Sequence, residues 1–340
     1  MSAIEIAADD ERLAWWAPQP TRLERVPVRA DRFSKASIDT LGYQVGPLAN
    51  VRSSSGCALV LATDSPWVDV DLVRLRHHQP VAVGLDAEVQ LPNKTRVVSS
   101  GDLREFGGDV RVRLATGLER GRGARPVWLW LPLISTCAVQ GLRLASGAAI
   151  EAVPLPEPRW LALGDSLTQG FCAQQPTATW VHRLQRRWQL PAWNLGVGGL
   201  RVEPTLFAEA LETRAWDLVT IGLGSNHAWR DEDLPDLAQR VEALCRQAQA
   251  QAQRVVWLLP PWKPLEAGKG PPEFMGVPLD IAVARRLVQI RDTIRVVTAD
   301  LGVTVVSDLL PQDHRLYADG LHPGAWGMAQ LADALNAALA

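Results

Sequence analysis

The sequence has little of what would mark a metal-scaffolded, nucleic-acid-binding or membrane-embedded protein. Four cysteines, Cys57, Cys137, Cys172 and Cys245, are spread through 340 residues with no CxxC pair. The spacing therefore points to neither a zinc site nor a disulfide framework. Neither charge sign is in excess: 35 Lys and Arg stand against 37 Asp and Glu, a formal net charge of -2. The basic clusters near 183–187 and 285–286 lie among apolar residues at helical spacing and read as solvated helix faces, so nucleic acid is not an expected partner. The start of the chain has no basic stretch followed by an apolar one, and no segment reaches membrane-spanning length. The expectation is a cytoplasmic protein without a membrane partner.

What is present divides into two regimes. From about residue 36 to 148 apolar and polar residues alternate, as in Val68-Asp69-Val70-Asp71-Leu72 and Val110-Arg111-Val112-Arg113-Leu114. That period of two gives each strand one face for a core and one for water. Further strands are expected at 57–62, 80–85, 127–131 and 138–144, separated by turn-rich stretches, with no helices between them. Such a pattern argues for a β-sandwich of jelly-roll type. Three prolines in 154–158 form a stiff connector, which puts the domain boundary between 1–153 and 154–340. Beyond it, strands at 160–163, 192–195, 218–223, 255–259 and 303–306 alternate with helices at 177–189, 234–253, 279–299 and 325–339. Alternation of this kind predicts a parallel sheet with helices on both faces and its C-terminal strand tips along one edge.

The residues that carry chemistry fall at those tips. An apolar strand runs into Gly164-Asp165-Ser166-Leu167, and Asp319-Gly320-Leu321-His322 lies near the other end of the chain. A serine hydroxyl is a weak nucleophile near neutral pH and needs a base, and an imidazole base needs a carboxylate to fix its tautomer. Ser166, His322 and Asp319 are accordingly the candidate catalytic residues. Pro323 suits the first turn of the closing helix, which would hold the histidine in place. Each element alone has a plainer explanation, a helix cap for Ser166 or a common Asp-Gly turn for Asp319. Their joint occurrence is what points to catalysis.

Four blocks in order, Gly164-Asp165-Ser166-Leu167, Asn194-Leu195-Gly196-Val197-Gly198-Gly199, Gly224-Ser225-Asn226 and Asp319-Gly320-Leu321-His322-Pro323, resemble those of the SGNH or GDSL hydrolases. The resemblance covers roughly 159–340 and implies a flavodoxin-like, three-layer α/β/α hydrolase domain. The β-rich front half is similar to that of the subset carrying an N-terminal jelly-roll domain. The resemblance also implies an oxyanion hole built from the backbone N–H of Ser166, the backbone N–H of Gly199 and the side-chain amide of Asn226. Gly198 is an alternative to Gly199. One departure stands out: the third block usually continues with an acid after the asparagine, and here His227 follows.

The implied activity is hydrolysis of a small acyl ester, such as an O-acetyl group on a carbohydrate or other metabolite, through an acyl-enzyme on Ser166, with no metal or organic cofactor. An acyltransferase would use the same residues and pass the acyl group to an alcohol. A catalytically idle glycan-binding protein is the third alternative. His227, Trp229 and Trp262 are candidate substrate contacts, while most of the fourteen tryptophans are expected to be packing residues. The segment 260–278, with six prolines and three glycines, is expected to be a loop covering the site. Cys172 is expected to be a buried residue.

Overall fold

The computed structural model describes residues 2–22, 26–42, 45–78, 83–274 and 276–339. Its chain forms two compact units: Met1–Ser34, Arg52–Glu157 and Gln174–Thr177 make the first, and Lys35–Val51, Pro158–Ala173 and Ala178–Ala340 make the second.

The first unit is built from two antiparallel sheets. One has the order Gln19–Arg22, Val28–Asp31, Ser135–Leu144, Val68–His77 and Gly108–Leu114, with Ile4–Ala7 also paired to Ser135–Leu144. The other has the order Ile150–Glu151, Ala58–Thr63, Arg125–Trp130, Asp86–Leu91 and Lys94–Ser99, with Ala14–Trp16 also on Ala58–Thr63. The alternation seen in the sequence sets the register. Val68, Val70 and Leu72 enter the core shared by both sheets, while Asp69 and Asp71 face Arg113 and Arg111 across the strand pair, at 2.6 and 2.5 Å. Pairing opposite charges directly across two strands adds to the ladder on the wet side. Of the strand expected at 80–85, residues 80–82 lie outside the described residues. Val83 forms only an isolated bridge, and the strand proper begins at Asp86.

The second unit holds a five-stranded parallel sheet in the order Ala192–Gly196, Trp160–Gly164, Trp216–Gly222, Ala252–Leu258 and Thr304–Val306. Numbered along the chain, that order is 2-1-3-4-5, the flavodoxin-like winding. Its strand order reverses beside the first strand and opens a crevice at the C-terminal tips there. Trp160–Gly164 is buried at every position, as a central parallel strand covered on both faces must be. The helices pack in two groups: Trp180–Trp188 against Ala325–Leu339, and Leu237–Gln251 against both Pro204–Glu212 and Ile281–Asp300. Pro204–Glu212 is a helix that the periodicity did not reveal. Four of the tryptophans, Trp160, Trp180, Trp216 and Trp257, are among the largest fully buried side chains, in keeping with their expected packing role. Two short helices from the front of the chain, Lys35–Asp39 and Val45–Val51, belong to this unit. Ser37 donates to Glu209 on Pro204–Glu212 at 2.9 Å and ties the first of them down.

Candidate active site

Ser166 stands one residue beyond the end of the central strand and opens the short helix Ser166–Gln169. This helix sits directly on the sheet edge. Gly164, Gly196 and Gly222 are level with one another in three adjacent strands. A Cβ at Gly164 would lie 2.0 Å from Thr168 Oγ1, one at Gly196 2.1 Å from the Gln169 nitrogen, and one at Gly222 3.1 Å from Thr168 Oγ1. A row without side chains lets the backbone come this close. Asp165 caps the helix, its Oδ1 accepting from Leu167 N at 3.0 Å. As the first helical residue, Ser166 has a backbone N–H with no acceptor inside the helix.

His322 reaches this hydroxyl from the loop between Thr304–Val306 and Ala325–Leu339. Its Nε2 is 2.9 Å from Ser166 Oγ, and its Nδ1 is 2.7 Å from Asp319 Oδ2. The other oxygen of Asp319 accepts from the backbone N–H groups of Leu321 and His322, at 2.9 and 2.7 Å. One carboxylate thus shapes the loop and orients the ring that the loop carries. Burial works to raise the Asp319 pKa, but the hydrogen bonds and charge of His322 and the two backbone N–H groups outweigh it and hold the carboxyl well below the usual range. It therefore stays ionised, so Nδ1 carries the proton and Nε2 is left to accept one from the serine.

Two aromatic rings lie against the imidazole: Phe171 at 4.8 Å and Phe274 at 5.7 Å between centroids. Phe274 comes from the two-residue strand Glu273–Phe274 within the proline-rich 260–278 segment. That segment also contributes Lys263, which is buried and donates from Nζ to the carbonyl of Leu321 at 3.1 Å. Burial lowers the Lys263 pKa, opposed by the charges of Asp165 and Asp319. Burial likewise raises that of Asp165, opposed by the Leu167 N–H and by Lys263. A buried cation behind the loop of Asp319 and His322 had no signal in the sequence, because a lone lysine among prolines reads as surface. Cys172 is buried as expected, and in addition its Sγ lies 3.7 Å from Asp319 Oδ2. Burial and the neighbouring carboxylate push its thiol up to about 12. Cys172, Asp319 and His322 form the one group of possible metal-ligand atoms among the described residues. Both imidazole nitrogens of that group are engaged, Nδ1 with Asp319 and Nε2 with Ser166.

The remaining candidates come from the tips of the two flanking strands. Asn194 folds its amide back, accepting from Gly196 N at 2.9 Å and donating to Thr168 O at 2.6 Å. The chain then runs through Gly198 to Gly199, which has φ +78° and is exposed. The N–H of Gly199 enters no hydrogen bond among the described residues. On the other flank Asn226 lies in the 3-10 turn Ser225–Trp229. Its Nδ2 donates to Leu200 O at 3.0 Å and its Oδ1 accepts from Trp229 Nε1 at 2.9 Å. The indole thus fixes which way the amide faces and leaves one Nδ2 hydrogen free of Leu200.

The three residues expected to touch substrate are placed differently. His227 is buried, its Nε2 accepting from Val202 N at 3.0 Å and its Nδ1 donating to Asp233 O at 2.6 Å. Burial lowers its pKa, so the neutral ring acts as a strut between two loops, occupying the place after Asn226 where an acid is usual. Trp229 is the partner of Asn226 just described. Trp262 packs edge-on against Tyr317 at 6.1 Å, and its carbonyl accepts from the Tyr317 hydroxyl. His227 and Trp229 spend their side-chain polar groups on the protein itself, while Trp262 is held through its ring and its backbone carbonyl.

Residues 162–330 match the model of the GDSL-like lipase/acylhydrolase family. No curated protein matches the chain. Among solved structures the chain is similar to a salicylyl-acyltransferase from a tetracycline biosynthetic pathway, with 21% identity over 99% of this chain and 97% of that one and a TM-score of 0.75. It is also similar to a candidate GDSL-like lipase from Bacteroides ovatus, with 16% identity over 99% and 97% and a TM-score of 0.78. An acetyl xylan esterase from Butyrivibrio proteoclasticus is 12% identical over 99% and 97%, with a TM-score of 0.60. At these identities the likeness is one of fold.

Proposed function

Residues 162–330 belong to the GDSL-like lipase/acylhydrolase family, and on that premise we propose that the chain is an esterase that hydrolyses a small acyl ester through an acyl-enzyme on Ser166. The observation that carries this reading is the unbroken line from Ser166 Oγ through the His322 ring to Asp319, at 2.9 and 2.7 Å. In this reading Ser166 Oγ attacks the ester carbonyl carbon while His322 Nε2 takes its proton. The charge that develops on the carbonyl oxygen is met by the backbone N–H groups of Ser166 and Gly199 and by the remaining Nδ2 hydrogen of Asn226. Fixed donors of this kind act where charge appears and need no reorganisation as it does. When the tetrahedral adduct collapses, the alcohol leaves with the proton from His322 and the acyl group stays on Ser166. Water then repeats the attack with His322 as base, releasing the acid and the free serine.

The acid is a short acyl group, with acetyl on a carbohydrate hydroxyl as the class to test first, since the acetyl xylan esterase shares the fold along its whole length. A second reading, transfer of the acyl group to an alcohol, is supported by the equally complete overlap with the salicylyl-acyltransferase. The two readings share every step up to the acyl-enzyme. Incubation with p-nitrophenyl acetate and acetylated xylo-oligosaccharides, with and without added alcohol acceptors, separates them. Free acetate as the main product supports the esterase, and an ester product outpacing acetate in water overturns it in favour of transfer. Absence of turnover of any short ester by folded protein contradicts both.

A further inference from the structure

The segment Lys35–Val51 belongs to the second unit, far in sequence from the four blocks, and it ends at the block-two loop. Asn50 there is buried. Its Nδ2 donates to the carbonyl oxygen of Gly198 at 3.0 Å, and its own carbonyl accepts from Gln169 Nε2 at 3.1 Å. Gln169 is also buried and closes the ring, its Oε1 accepting from Gly198 N at 2.6 Å. Three hydrogen bonds thus lock Asn50, the last residue of the serine helix and Gly198 together. The fit is close: a Cβ at Gly198 would come within 2.9 Å of Asn50 Nδ2 and 2.6 Å of Phe171.

The carbonyl that Asn50 holds and the N–H of Gly199 belong to one peptide group. In a trans peptide these two bonds point in opposite directions, so fixing the carbonyl aims the N–H. This peptide most needs an outside hold, because it lies between two glycines, each able to take either sign of φ at little cost. Left to itself the plane can turn over by paired changes in ψ of Gly198 and φ of Gly199, carrying the N–H away from where it now points. Gln169 fixes only the peptide before it.

We propose that Asn50 is a positioning residue for acyl transfer, which turns the Gly198–Gly199 peptide so that the Gly199 N–H serves as an oxyanion donor. The proposal rests on the functional reading above. It makes the front of the chain part of the catalytic apparatus.

The test uses the full chain with Asn50→Ala and, as a variant of similar size with no donor, Asn50→Leu. Complete loss of one oxyanion donor costs about 100- to 1000-fold in rate. A peptide free to turn keeps its donor part of the time, so Asn50→Ala is expected to lower kcat for p-nitrophenyl acetate by about 10- to 100-fold with KM within about threefold. Inhibition by phenylboronic acid, whose adduct with the serine carries an oxygen in the oxyanion position, should weaken in parallel. If the alanine variant does not fold, the leucine variant answers the same question. Either variant, folded as judged by circular dichroism, with kcat within about twofold of wild type or with its loss confined to KM, overturns the proposal. Wild-type protein that turns over no ester would instead remove the functional reading, and this proposal with it.

Discussion

Replacing Asp319 by asparagine changes one atom and should cost most of the activity, for a reason that can be worked through bond by bond. The carboxylate uses Oδ1 for the N–H groups of Leu321 and His322 and Oδ2 for the ring N–H of His322. An amide has only one oxygen to cover both. With its oxygen toward the two backbone N–H groups, its NH2 faces His322 Nδ1, which must then accept. The ring proton moves to Nε2, and the ring can no longer take a proton from Ser166. The opposite orientation saves the tautomer but sets the NH2 against two backbone donors, and an unsatisfied buried donor costs about 1–3 kcal/mol. With two such donors the active orientation lies roughly 2–6 kcal/mol higher, so even the lower figure leaves it only a few per cent populated. Asp319→Asn should therefore lose at least about 30-fold in kcat, approaching the roughly 10,000-fold loss known for a wrong-tautomer triad.

The assay is kcat for p-nitrophenyl acetate, with thermal midpoint as a control for folding. Stability against pH supplies a second readout. A carboxyl whose folded pKa is depressed stabilises the fold at pH above its unfolded value of about 3.9, and that stabilisation is lost as the pH falls through the folded value. The asparagine variant lacks this contribution, so the gap between it and wild type should narrow on acidification below about pH 4. A folded variant that keeps kcat within about tenfold of wild type would refute the tautomer argument.

Three further substitutions probe the groups around the triad. Asn226→Ala removes a side-chain donor and should reduce kcat by about 100- to 1000-fold, with a lower thermal midpoint because Leu200 O and Trp229 Nε1 lose their partner; a loss of kcat under about tenfold in folded protein would take Asn226 out of the oxyanion role. Trp229→Phe keeps most of the ring but deletes the N–H that holds Asn226 Oδ1. A net hydrogen bond of about 0.5–1.5 kcal/mol translates to a kcat roughly two- to tenfold lower at constant KM, and a rise in KM alone would make Trp229 a substrate wall after all. Lys263→Met keeps the buried stem but removes the charged donor to the Leu321 carbonyl, and urea denaturation should show a loss of about 1–3 kcal/mol. A change below about 1 kcal/mol would mean that the lysine charge contributes little there.

The features legible in the sequence are those set by local pattern. The parallel sheet followed from apolar runs alternating with helical stretches, and the closing helix Ala325–Leu339 matches its expected bounds. Ser166 lies just past the tip of the central strand, and the long loop between Thr304–Val306 and Ala325–Leu339 carries Asp319 and His322 back to it across the C-terminal edge of the sheet. What was not legible depends on contacts between distant residues. Nothing in the sequence around Asn50 tells that it reaches Gly198, since neither residue type nor spacing encodes a partner 148 positions away. His227 read as a substrate contact because a histidine in a motif loop looks available; its two bonds to Val202 and Asp233 appear only once three loops are folded together. Pro204–Glu212 begins with proline at its first position and spans only nine residues, too few for its period to stand out.

The most direct measurement is covalent labelling by a fluorophosphonate, with the modified residue located by peptide mass spectrometry and the Ser166→Ala variant run beside the wild type. The account requires one adduct per chain, on Ser166, formed at a rate that falls when Asp319 or Asn226 is replaced, and no adduct on a Ser166→Ala protein of unchanged thermal midpoint. Ester turnover that survives in Ser166→Ala, or an adduct carried by another residue, would contradict it.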